Sequence, residues 1–246
     1  MEVIMAFLIL GLAICGPSYG QNTPPNFKEI IDNFIEKAEK DSVFIGDQYT
    51  HEESETIEGF KDGVVVKKEE KLSFVKKQKG ILFQKILSKD GVAVSRPRFE
   101  KKRTLDINAK LLKRYFFIFQ GEEIIEGKEC WVVSFNPKDN LPEPEKEDRT
   151  LNNSTGKIWF TKDTLILKKM EAKLMQEVDY GWGILGLSIK RIEYLANAID
   201  IDGHHAMGYS RAEYEYSGRG IIKGGIPSKH EIRTVLYKDY NKKEDK

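Results

Sequence analysis

Cysteine is almost absent from this chain: 2 in 246 residues, Cys15 and Cys130. Cys15 lies in an apolar leader-like stretch, so a mature chain would keep Cys130 alone. That excludes a disulfide framework, and the domain must hold itself by its core. Charge of one sign is missing too. Lysine and arginine number 40 against 39 aspartates and glutamates, which removes the basic excess on which nucleic-acid binding usually rests. Histidine occupies only 4 positions. His51 and His230 stand alone, and His204 and His205 are adjacent. Neighbours on a strand point to opposite faces, so that pair chelates poorly, and the run from Asp200 to His205 reads as a hairpin tip with no metal. It also lacks the sixth-position glycine and twelfth-position glutamate of a calcium loop. Outside the leader-like stretch, neither Gly-x-Ser-x-Gly nor His-Glu-x-x-His occurs. No enzymatic constellation and no cofactor are expected, and Cys130, beside Trp131 in an apolar strand, reads as a buried thiol.

Long apolar runs are limited to one, Val3 to Ile14. It is too short to span a bilayer comfortably. Gly16, Pro17, Ser18 and Gly20 follow, and the small residues suit cleavage before Gln21, although Glu2 stands where a basic residue is usual. The reading is a signal peptide over 1–20 and a single exported domain over 21–246, in a periplasm or cell envelope. Lipidation at Cys15 is the rival, with the bulky Ile14 against it. Any membrane contact is then peripheral rather than integral.

What is abundant is alternation. The stretch after Pro24 and Pro25 carries Phe27, Ile30, Ile31, Phe34, Ile35 and Ala38 on one stripe at helical spacing. Most of the rest reads as strand, beginning at Val43. Met170, Ala172 and Leu174 alternate with Lys169, Glu171 and Lys173; Ala212, Tyr214 and Tyr216 alternate with Arg211, Glu213 and Glu215. Lys-Asp-Gly at 61–63 and 89–91 marks hairpins. The two strands in 115–137 are apolar on both faces and are placed centrally, 96–114 is a candidate helical insertion, and the last six residues form a frayed tail. Nine or ten strands with wet faces give a mainly β fold with helices, of α+β class. It is a large curved antiparallel sheet forming an incomplete barrel, covered by one or two helices.

Gly181-x-Gly183-x-x-Gly186 has the letter pattern of a dinucleotide loop. Such a loop follows a buried parallel strand, whereas the residues before it are charged at every second position. The alternative is a wide hairpin connection, with Tyr180, Trp182, Ile184, Leu185 and Leu187 either packed as core or lining the lip of an apolar ligand cavity.

Residues 137–156 form a long polar loop with three prolines, either functional or mobile. Together, Gly127–Pro137, the stretch from Asp148 to Glu171, and Val178–Gly186 resemble the LolA/LolB-like superfamily. The matching points are Leu151-Asn152, Gly156, Trp159 and Tyr180-Gly181-Trp182-Gly183. The resemblance implies an unclosed barrel with helices as a lid over an apolar cavity, and a carrier of lipid or lipoprotein acyl chains. RseB-like relatives of the same fold imply an alternative, a non-enzymatic interaction or envelope-stress sensor module with envelope proteins as partners.

Overall fold

The computed structural model describes residues 24, 26–102, 112–143, 146–182, 185–219 and 229–244. Helix α1 (Phe27–Gln48) opens them. Its first turn is tied by the Phe27 amide, which donates to the Pro24 carbonyl at 3.0 Å. The apolar stripe lands as spaced, with Ile31, Phe34 and Ala38 buried. The helix runs further than expected, through Val43 to Gln48, because Phe44 continues the stripe and stacks on His204 at 3.8 Å between ring centres. Its last carbonyls, which no intrahelical amide can reach, are met by Lys243. The ammonium donates to Gly46 O (2.8 Å), Asp47 O (2.9 Å) and Lys77 O (3.0 Å). The expected frayed tail is thus, at Lys243, a helix cap.

Among the described residues thirteen strands follow, more than the nine or ten expected, in one unclosed sheet. They are β1 (Tyr49–Lys61), β2 (Val64–Gln78), β3 (Ile81–Lys89), β4 (Val92–Ala93), β5 (Phe99–Lys101), β6 (Tyr115–Ile125), β7 (Lys128–Pro137), β8 (Ser154–Thr161), β9 (Leu167–Leu174), β10 (Val178–Trp182), β11 (Leu185–Ile201), β12 (His204–Arg219) and β13 (Lys229–Lys242). A short helix, α2 (Lys146–Leu151), precedes β8. The order across the sheet is β4-β3-β2-β1-β13-β12-β11-β9-β8-β7-β6; β10 pairs with β11, and β5 with β3. Every pairing is antiparallel. Two-residue turns with both residues at positive φ join several neighbours. They include both expected hairpins, Asp62-Gly63 and Asp90-Gly91, and also Asp202-Gly203, the turn geometry that matches strand twist.

Three placements differ from expectation. The start of the proposed 96–114 helix is strand β5. Its apolar and charged residues face a neighbour, β3, that supplies free backbone partners; residues 103–111 lie outside the described residues. β6 is not central but ends the sheet path. Its doubly apolar pattern arises because Tyr115 and Phe117 face the core while Phe116 and Ile118 stay 49% and 37% exposed. The stretch read as a wide connection after Gly183 is, from Leu185, strand β11.

The core sits between α1 and the β7–β9 part of the sheet. Ile31, Phe34 and Ala38 meet Val133, Phe135, Ile158, Phe160 and Leu167, and Phe34 stacks on Phe160 at 4.3 Å. Full burial of each such ring contributes about 2–3 kcal/mol. Gly156 is required here: a Cβ would meet the Glu171 carbonyl oxygen at 1.9 Å and the Phe135 ring at 2.6 Å.

Candidate functional site

Ladder register defines the inner face of the sheet. One row of directly paired residues crosses eight strands: Val133, Ile158, Met170, Ala196, Ser210, Val235, Glu55 and Lys71. A second row, two residues along, reads Phe135, Gly156, Ala172, Tyr194, Ala212, Arg233, Ile57 and Glu69. Both begin apolar beneath α1; from β11 onward polar and charged residues, and in the second row Tyr194, enter among Ala196, Val235, Ala212 and Ile57.

That second half concentrates four half-buried tyrosines, Tyr194, Tyr214, Tyr237 and Tyr240. Tyr237 sits opposite the buried Glu53. An irregularity between Thr50 and Glu52, with Asp239 at φ 53°, lets Tyr240 share the face, where it stacks on His51 at 5.0 Å. Glu53 takes His51 Nε2 at 3.1 Å and the Lys102 ammonium. Burial alone would raise the Glu53 carboxyl; the His51 hydrogen bond and the Lys102 charge outweigh it and hold it below the usual range. Burial lifts all four phenols above their ordinary value. They therefore remain neutral hydrogen-bonding groups at any physiological pH. The Tyr240 hydroxyl donates to Met207 O at 2.8 Å, and Tyr237 Oη lies 3.3 Å from Ser210 Oγ. Glu55 is held by Arg233 at 3.0 Å and Lys71 at 3.5 Å. Such a surface, flat rings with hydroxyl tips, suits recognition of an amphipathic guest.

The sequence marked Tyr214 as facing with Ala212, but it did not assemble the four tyrosines. They come from β11, β12 and β13, and only the register unites them. His51 is paired rather than alone, and so is His230, at 3.0 Å from Glu213 Oε1. His204 and His205 do sit on a hairpin, yet they converge. Asp41, buried in α1, binds His204 Nδ1 at 2.6 Å on one oxygen and His205 Nδ1 at 2.8 Å on the other. Lys37 Nζ joins at 2.9 Å and also donates to Gly203 O at 3.0 Å. A single carboxylate thus receives both imidazoles and fastens α1 to the β11–β12 tip. No group of three or more potential metal ligands occurs among the described residues.

Of the five residues expected at a lip, Tyr180 and Trp182 lie in β10 and Leu185 and Leu187 in β11. β10 and β11 pair with Tyr180 opposite Leu187 and Trp182 opposite Leu185. The connection is thus two residues rather than wide, and both Ile184 and Gly183 lie outside the described residues. The antiparallel pairing of Gly181 with Gly186 removes the parallel strand a dinucleotide loop needs. The Tyr180 hydroxyl is hydrogen-bonded to Thr150 Oγ1 on α2. The polar loop is anchored around that helix. Arg114 donates to Pro142 O at 2.9 Å and Asn152 Oδ1 at 2.7 Å and pairs with Asp148 at 3.0 Å, while the Tyr115 hydroxyl donates to Leu151 O at 3.0 Å. Cys130 is fully buried, and burial pushes its thiol up.

No protein-family profile and no curated protein matches the chain. Solved structures do. A DUF1329 family protein from Desulfovibrio piger ATCC 29098 aligns at TM-score 0.44 and 12% identity, over 86% of this chain and 92% of that one. A domain assigned to outer membrane lipoprotein sorting, from Vibrio parahaemolyticus, aligns at TM-score 0.41 and 9% identity, over 86% and 93%. The chain is similar as well to a LolA superfamily protein from Nitrosomonas europaea, at TM-score 0.37 and 14% identity over 88% of this chain and 94% of that one.

Proposed function

We propose that this protein is an exported, non-enzymatic carrier that holds a lipid or lipoprotein acyl chain against the inner face of its open sheet. The observation that carries the reading is the change along that face: α1 fills the β7–β9 half with its own side chains, whereas the β11–β12–β13–β1 half offers tyrosine rings. The guest belongs to the tyrosine half, because Phe34 and Phe160 already fill the space beneath the helix. Rings give apolar contact and their hydroxyls accept a polar end group. An acyl chain of about 14 methylenes gains roughly 11 kcal/mol on burial, before ordering costs, at about 0.8 kcal/mol each. Tyr180, Trp182, Ile184, Leu185 and Leu187 form the rim in this reading. Export rests on the apolar leader, and residues 21–246 act as one domain.

Native mass spectrometry of the purified protein is expected to find co-purified lipid, and a fluorescent fatty acid is expected to bind. Tyr194→Ala with Tyr237→Ala should weaken the probe at least about tenfold, the loss expected when a substantial apolar contact is deleted. Trp182→Ala should weaken it more than it lowers stability. A protein that emerges empty and ignores the probe is instead an interaction module.

A further inference from the structure

The near-neutral total hides a segregated charge. Residues 64–102 hold 12 lysines and arginines against 4 aspartates and glutamates, a net +8 in a chain of +1, so the rest carries −7. Toward the β1–β2 turn these cations are paired, Lys67 with Glu69 at 2.6 Å and Lys68 with Glu70 at 2.8 Å. At the β3–β5 edge Lys102 is taken by Glu53, but its neighbours are not paired. Among the described residues no carboxylate lies within ion-pair distance of Arg96, Arg98 or Lys101, all exposed. On the face of Lys101 stand two exposed apolar groups, Phe99 at 41% and Ile81 at 38%, whereas Val92, opposite Lys89, belongs to the other face. Phe99 is held by ammonium groups, Lys76 Nζ at 4.1 Å and Lys85 Nζ at 5.4 Å from the ring centre.

We infer that the β3–β5 edge docks the protein on an anionic phospholipid bilayer. Free cations there meet lipid phosphates and anionic headgroups, while Phe99 and Ile81 enter the interface. A nucleic acid fits less well. Base stacking needs a free ring face, and Phe99 is engaged by two lysines; Ile81 has no partner on a phosphate backbone. The inference stands apart from the carrier reading, since docking requires no guest in the sheet.

The test is vesicle co-sedimentation of the purified protein, stripped of bound lipid. Vesicles of phosphatidylcholine alone are compared with vesicles containing about one-third phosphatidylglycerol. Binding is expected only to the anionic vesicles, and it should fall in about 0.5 M sodium chloride, where screening is nearly complete. R96E/R98E/K101E should weaken it at least about tenfold, given that each basic residue near such a surface counts several-fold. Phe99→Ala should weaken it less and leave the salt dependence. Reversing three exposed charges on other elements, K28E/K40E/K157E, should leave it nearly intact; a thermal melt checks that each variant is folded. Equal binding to neutral vesicles, or indifference to the edge reversal, overturns the inference. So does tighter, edge-dependent retention on duplex DNA at the same salt, which would mark a general polyanion site. An empty, probe-indifferent protein that still docks would end the carrier reading alone.

Discussion

The two halves of the inner face are built on the same ladder rows, yet they are completed differently. Beneath α1 the rows present Val133, Phe135 and Ile158, and the chain's own helix supplies the complement through Ile31, Phe34 and Ala38. Beyond β11 the rows present Tyr194, Arg233 and Glu55, and the complement is a set of local polar ties: His51 and Lys102 on Glu53, Ser210 near Tyr237. An apolar face is stabilised by exclusion of water and tolerates little change of volume. A face of neutral phenols and paired charges gains less from closure and can exchange water for a guest. One half is therefore expected to govern stability and the other to govern binding.

The strongest way to break that comparison is Phe160→Ala. It removes the ring stacked on Phe34 and should cost about 4 kcal/mol in urea unfolding, with probe affinity kept once folding is complete. A loss of affinity out of proportion to stability would show that the guest reaches under α1.

Next comes Asp41→Asn, which cuts the tie between α1 and the β11–β12 tip. Burial works to raise the Asp41 carboxyl, but the hydrogen bonds from His205, Lys37 and His204 prevail and hold it well below the usual carboxylate range. A lowered folded value contributes stability that is whole above the unfolded value of about 4 and disappears as pH falls toward the folded one. The substitution should cost about 3 kcal/mol near neutrality and flatten the acid limb of the stability profile. Parallel acid limbs for the two proteins would remove Asp41 from this role.

The smallest stability change sharpens the other half. Tyr237→Phe deletes one hydroxyl beside Ser210 and should alter stability by less than about 1 kcal/mol. If the phenol meets the polar end of the guest, probe affinity falls severalfold, read by fluorescence titration; an unchanged affinity would restrict Tyr237 to its ring.

Much of the fold was legible because its signals are local. The stripe from Phe27 to Ala38, the Asp-Gly turns and the alternation around Tyr214 each need only a few neighbouring residues. The site was less legible because its members meet only through register. Asp41 and His205 are 164 positions apart, and nothing near either one announces the other. β6 misled because a core-facing row and an exposed row were both apolar. Overall charge balance misled in the same way, since a sum over the chain erases a basic edge that its order retains.

One join in the sheet has a further consequence. Most ladders link consecutive strands, but β1 pairs with β13, setting Thr50 against Asn241, and Lys243 then grips the end of α1. In any chain made from its N-terminus, those residues are delivered long after β1. Until then the β1–β3 and β11–β13 hairpin sets are two separate leaves. Their union is a clasp that shuts only once β13 has emerged, so the slowest, most long-range pairing is also the one that keeps a growing or threading chain from sealing too soon.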